Sequence, residues 1–426
     1  MIDKRNRWIT VALINLAIVA LLGVLLRSKI LFSMPGVDFK FILHAHSHFA
    51  FAGWITLCLF MLMTFEILPQ KYCGKPIYKL LLTGLLLTAT GMLFSFPFQG
   101  YALFSIIFST LFIFVTYAFS WVFIKDLGKS GAQKSVKFLC VFALAALCIS
   151  SIGPFTLAYM MASHSVNILL YRDAIYTYLH LQYNGFFTLS VFALLINQFK
   201  SKFNNRVKLR VKRFAIVLSL SVLPTLFLSY LWHFPNLTVR SIAVLGCALL
   251  VLTLICFGAV IVIAKPVFSN MSPFAKVTGS LSLFAFALKT TMQIGTVFPS
   301  IGNEIFSNRP VIIGYLHLVM LGFISLYLLA HLIHVNFFEM EKRMVKAGII
   351  IFTVSVIANE IILMTQGLSE MMNRNSSFYP WLLWWAAIGL FSGAFLISIS
   401  AVRDLKPKTA VKPEFSLRNT INFSKS

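Results

Sequence analysis

Three of the nine histidines in this 426-residue chain recur in one pattern. His48 is followed by Phe-Ala-Phe-Ala-Gly53-Trp54, His180 by Leu-Gln-Tyr-Asn-Gly185-Phe186, and His317 by Leu-Val-Met-Leu-Gly322-Phe323. Each reads His-x4-Gly-aromatic, and Tyr-Leu-His-Leu is identical at 178–181 and 315–318. The separations, 132 and 137 residues, mark an internal repeat. A neutral imidazole with an open lone pair suits haem iron or copper. His48, His180 and His317, with His233 in Trp232-His233-Phe234, are therefore candidate metal ligands. His44 and His46 are weaker candidates. On a helix His44 shares a face with His48 and His46 points away, and reaching to interfacial water is the plainer role for both. His164, His331 and His334 are assigned no chemistry. The glycine five residues on lies about one and a half turns below each histidine. There a flat ligand or a neighbouring helix can approach, and ordinary helix packing accounts for the glycine equally well.

These histidines ride on apolar runs. Hydrophobic residues make up 59% of the chain and charged residues 11%, against roughly 25% charged in a soluble domain. Runs of about 20 residues, long enough to cross a bilayer core of about 30 Å, occur near 8–27, 44–67, 78–98, 101–124, 136–162, 174–197, 214–234, 239–264, 276–298, 310–334, 346–366 and 379–401. The expected fold is an all-α polytopic membrane protein of about twelve transmembrane helices in three four-helix arcs, although the turn at Gln99–Gly100 is short enough to fuse two spans. The repeat units fall near 8–124, 136–264 and 276–401, within a single transmembrane domain over 1–403. A cytoplasmic tail follows over 404–426. His48, His180 and His317 lie on the second, sixth and tenth runs, and His233 ends the seventh.

A net charge of +24 raises the question of nucleic acid. The distribution answers it, because 28 of the 36 Lys and Arg fall in alternate loops and the termini, among them seven between Lys200 and Arg213. This is the positive-inside asymmetry. It places both termini in the cytoplasm and the repeat histidines near the outer ends of their helices. The basic 200–213 segment is expected to touch anionic lipid, and the bilayer, not nucleic acid, is the expected partner. The six cysteines form no CxxCH and no zinc or iron–sulfur spacing. The start, Met-Ile-Asp-Lys-Arg-Asn-Arg-Trp, imitates a signal peptide, but no small-residue cleavage site follows, so it is read as the first helix.

Other ionisable residues interrupt the runs. Lys289 and Glu360 sit at similar depth, two-thirds of the way across, and are expected to pair or to serve singly, Lys289 at a haem propionate and Glu360 as a proton relay. Arg172, Arg240 and Arg309 stand at the outer surface as further candidate propionate partners, since guanidinium grips carboxylate at two points.

With twelve runs in three fours and histidines on the second, sixth, seventh and tenth, the chain resembles the heme–copper oxidase subunit I superfamily. The segment His46-Ser-His48-Phe-Ala-Phe-Ala-Gly-Trp also resembles the His-Ala-His-x4-Gly-aromatic segments of related nitrosative-stress haem membrane proteins. The resemblance spans 8–401 and lies in layout more than in literal motif. It implies haem b with His48 and His317 as axial ligands, and copper as a second possible metal at His180 and His233. It also implies respiratory electron transfer, with other respiratory subunits or a cytochrome donor as partners, in the bacterial inner membrane. Reduction of oxygen or nitric oxide is the implied activity if the chain is an enzyme. The chain departs from the pattern where Tyr315 replaces the high-spin haem ligand, where one histidine stands at His233 instead of two, and where Asn184 replaces the tyrosine four residues after His180. Tyr183 and Tyr315 are the remaining catalytic candidates. The alternatives are a polytopic transporter or metal-handling protein, for which twofold inverted repeats are usual, and a haem sensor or assembly factor without catalysis.

Overall fold

The computed structural model describes residues 2–405 apart from 235, 270 and 375. The tail expected from 404 onward thus lies almost wholly outside the described residues. Within them the chain is helical, without a strand. The long helices are α1 (Asp3–Leu31), α2 (Phe39–Ile67), α3 (Pro76–Gln99), α4 (Leu103–Lys129), α5 (Lys134–Ala162), α6 (Ile168–Lys202), α7 (Asn205–Tyr230), α8 (Leu237–Phe268), α9 (Pro273–Gly295), α10 (Arg309–His334), α11 (Arg343–Met371) and α12 (Phe378–Asp404). Eleven are long and apolar enough to cross a membrane singly. The more polar α9 reaches that standard only together with Pro299–Ile305, from which it is bent by 113°. A helix is the form in which such runs satisfy their own backbone polar groups without water.

The ends of the helices are written locally. The side chains of Asp38, Asn167, Asn204, Asn236, Ser272 and Asn308 accept from backbone N–H groups in the first turns of α2, α6, α7, α8, α9 and α10. The turn at Gly100 does not fuse α3 with α4. Gly100 has φ +59°, and a Cβ there would lie 2.4 Å from the Phe41 ring, so the chain reverses where only glycine fits.

Consecutive helices pack side by side, and α1 packs along α12 to close the bundle. At its centre stand the three repeat helices α2, α6 and α10. Trp54 donates to Ser325 Oγ at 3.0 Å, Asn197 to the Glu66 carbonyl at 2.8 Å, and His331 meets Gln198 at 2.9 Å. Each repeat helix widens into a π-helical stretch just past its histidine, over Ala50–Thr56, Leu181–Phe187 and Leu318–Ser325. Such stretches shift helix register and are common at functional sites. They also free backbone carbonyls, and side chains take these up. Asn15 of α1 donates to Gly53 O at 2.7 Å, Ser282 of α9 to Phe323 O at 2.6 Å, and Thr188 to Tyr183 O at 2.6 Å. The repeat aromatics follow the same order. Trp54 reaches α10, Phe186 lies 5.6 Å from Phe60 of α2, and Phe323 lies 5.8 Å from Phe192 of α6.

Candidate functional site

The three histidines of α2 divide between two faces. His48 shares a 2.7 Å hydrogen bond with the Tyr101 hydroxyl and stacks on Phe96 of α3 at 4.6 Å, and His44 lies 4.6 Å from the same tyrosine ring. His46, two residues from each, faces α1. Its Nδ1 lies 3.0 Å from the Val19 carbonyl, and its ring packs where Gly23 has no side chain, 3.5 Å from the position of a Cβ there. A carbonyl can only accept, so Nδ1 carries the proton and Nε2 the lone pair. His317 of α10 has the same arrangement, with Nδ1 2.8 Å from its own Ile313 carbonyl. The two imidazoles lie within electrostatic range of each other. Of the α2 histidines, His46 is the one that lies within electrostatic range of His317, while His48, the expected partner of His317, is bonded to Tyr101.

Beside this pair stands Arg27 of α1, which the sequence reading did not single out. Arg27 lies within electrostatic range of His46, His317 and Arg309. The Arg309 guanidinium also lies over the Phe39 ring at 5.9 Å. Among the described residues no carboxylate forms an ion pair with either arginine. Two guanidinium groups within electrostatic range of each other, with no ion-paired acid among the described residues, suit an anionic partner. Arg172 instead lies over the Trp232 ring at 5.1 Å, and Arg240 is exposed at the start of α8.

His180 and His233 are engaged by separate partners. His180 Nε2 donates to the Val222 carbonyl at 2.8 Å while its Nδ1 accepts from Asn184 at 3.2 Å, so both ring nitrogens are occupied. His233 pairs with Asp173 at 3.0 Å. Among the described residues no three of His, Cys, Asp and Glu converge as a metal site would require. Copper does not fit these residues.

Lys289, 3% exposed, does not meet Glu360 as expected. Its ammonium donates to Asn184 Oδ1 at 2.6 Å and sits 5.4 Å from the centre of the Phe286 ring, whereas Glu360 accepts from neighbouring Asn359 at 3.1 Å. A polar relay thus crosses three helices, from Lys289 through the Asn184 amide to His180 and the Val222 carbonyl. It borders a cavity of about 100 Å³ between α6, α7, α9 and α10, lined in part by His180, Tyr183, Thr225, Gln293 and Tyr315. The Tyr183 and Tyr315 rings meet edge to face at 5.7 Å. The Tyr315 hydroxyl lies beside Asn184.

A second polar cluster was also missed, at the opposite end of the central helices. Glu66 lies 2.7 Å from His331 and 3.6 Å from Arg5, and His331 is fully buried. Nothing in the spacing of Glu66 and His331 along the chain announces that contact.

Comparison with protein-family models and with curated proteins finds no match to this chain. The fold defines its class, an all-α multi-pass membrane protein.

Proposed function

We propose that this chain holds one b-type haem between His46 of α2 and His317 of α10 and passes electrons within the membrane, as a divergent relative of the oxidase subunit I superfamily that it resembles. The observation that carries the reading is the matched pair of imidazoles, each with Nδ1–H held by a backbone carbonyl and Nε2 left with its lone pair. That outer hydrogen bond fixes tautomer and ring orientation in histidines that bind metals. Arg27 and Arg309 supply two guanidinium groups for two propionates. A haem held by His46 and His317 would supply one-electron transfer. The protein's part is to hold the rings through the Val19 and Ile313 carbonyls, to leave room at Gly23, and to balance charge with the arginines. No copper chemistry enters, since His180 has no free nitrogen. With the basic end in the cytoplasm, the histidine end faces outward, where a cytochrome or another respiratory subunit would deliver electrons. The bacterial inner membrane is the proposed location.

A reduced-minus-oxidised spectrum of the purified chain tests this. The expected result is a sharp, six-coordinate, low-spin b-type signal. His46→Ala and His317→Ala should abolish it or make it five-coordinate, and His48→Ala should leave it in place. Loss in His48→Ala with an unchanged His46→Ala would return the ligand to the repeat register. A wild-type protein that stays colourless after reconstitution with haemin would sink the haem reading and favour a transporter.

A further inference from the structure

The sequence from 174 to 303 contains no Asp or Glu, yet seven Lys and Arg crowd Lys200–Arg213 at the start of α7. The carboxylates with partners at the same end of the bundle are taken elsewhere. Glu66 meets Arg5 and His331, Asp126 meets Lys75 and Tyr78, and Asp404 meets Lys342. Among the described residues no ion pair reaches Arg210 or Arg213. Both arginines line a groove between α7 and α8, of about 380 Å³, whose other walls are Ile216, Val217, Leu252, Ile255 and Cys256. Positions 210, 213 and 217 follow the i, i+3, i+7 spacing of one helix face. That face therefore passes from two cations near the α7 terminus to an apolar slot deeper along the helix.

We propose that this groove binds an anionic phospholipid, with the phosphodiester between Arg210 and Arg213 and an acyl chain along Ile216, Val217, Leu252 and Ile255. Charge complementarity selects the occupant. A peptide acid would leave the apolar wall bare, a zwitterionic lipid would bring its own headgroup cation beside two guanidinium groups, and an anionic phosphodiester accepts from guanidinium in the two-point manner. Basic pockets between helices on the cytoplasmic side of a bilayer are suited to such headgroups. The site is independent of the haem reading.

The test is native mass spectrometry of the delipidated full-length chain, titrated with cardiolipin, phosphatidylglycerol or phosphatidylcholine. Anionic lipid should bind more tightly than phosphatidylcholine, whose choline offsets the charge of its phosphodiester. Arg210→Gln with Arg213→Gln should weaken binding by roughly thirty-fold, from about a factor of five per cation at the surface. Lys208→Gln with Lys212→Gln removes the same charge from the same run outside the groove and should change it little. Leu252→Trp, which fills the apolar slot, should weaken binding while both arginines remain. Equal loss in the two charge variants would reduce the site to diffuse attraction and overturn the proposal. Displacement of the lipid by millimolar inorganic phosphate, or full binding in Leu252→Trp, would overturn the acyl-chain part.

Discussion

Lys289 shows what one buried cation demands of its neighbours. A lone ammonium inside apolar surroundings is costly, and here an amide oxygen and an aromatic face stand beside it, with no carboxylate paired to it among the described residues. Asn184 holds the arrangement together, since its oxygen serves Lys289 and its NH2 serves His180. Asn184→Leu should lower stability by about 1–3 kcal/mol, because two buried polar groups lose their partner at once. Lys289→Met, close in volume and without charge, should be neutral or stabilising. Combining the two should recover part of the loss, and thermal unfolding in detergent reads the cycle. Additivity of the two changes would show that the relay is not coupled. The histidines teach a related point. His46 and His48 have the same chemistry two residues apart, and a turn of about 200° between them sends one to α1 and the other to α3.

The π-helical stretches are the clearest device at the scale of elements. Each lies between a repeat histidine on one side and regular helix on the other, and each repeat glycine lies inside one. The glycines themselves are not equivalent. A Cβ at Gly185 would come 2.5 Å from the Ala146 Cβ of α5, whereas at Gly322 it would come 3.3 Å from the Ala285 Cβ of α9. Both glycines thus serve close helix approach rather than a ligand surface. Gly185→Ala is expected to cost about 1–3 kcal/mol by overpacking against a backbone-anchored atom. Gly322→Ala should cost less, because a few tenths of an ångström of movement accommodates it. Melting temperatures of the two variants rank the contacts, and the reverse order would contradict this packing.

For the whole molecule, the proposed topology counts the bent α9 pair as a twelfth crossing, which would put both ends of the described chain on one side, and the lysine and arginine bias proposes that side as the cytoplasm. Asn236→Cys and Ser376→Cys, both at exposed positions, should react with a membrane-impermeant maleimide in intact cells, and the equally exposed Asn204→Cys should not. The background should be low. None of the six native cysteines is exposed, and burial raises the pKa of the Cys73 thiol, which reduces the reactive thiolate at neutral pH. Labelling at Asn204→Cys from outside would invert the topology and with it the proposed side of electron entry.

Much of this architecture is legible along the chain because it rests on local or periodic properties. Apolar runs set the number and place of the helices, and the polar residues that cap them mark their starts. The His-x4-Gly-aromatic recurrence picked out α2, α6 and α10, the helices that became the centre. What the chain alone could not decide depends on rotation about helix axes and on contacts between distant segments. His46 faces α1 while His48 faces Tyr101 and Phe96, because the rotation of α2 turns the two rings to different sides. Arg27 joins Arg309, 282 positions away, because α1 is folded back against the bundle. Lys289 finds Asn184 instead of Glu360, since equal depth in a membrane says nothing about which helices are neighbours. Spacing fixes height along a helix, and only tertiary packing fixes the direction in which a side chain looks.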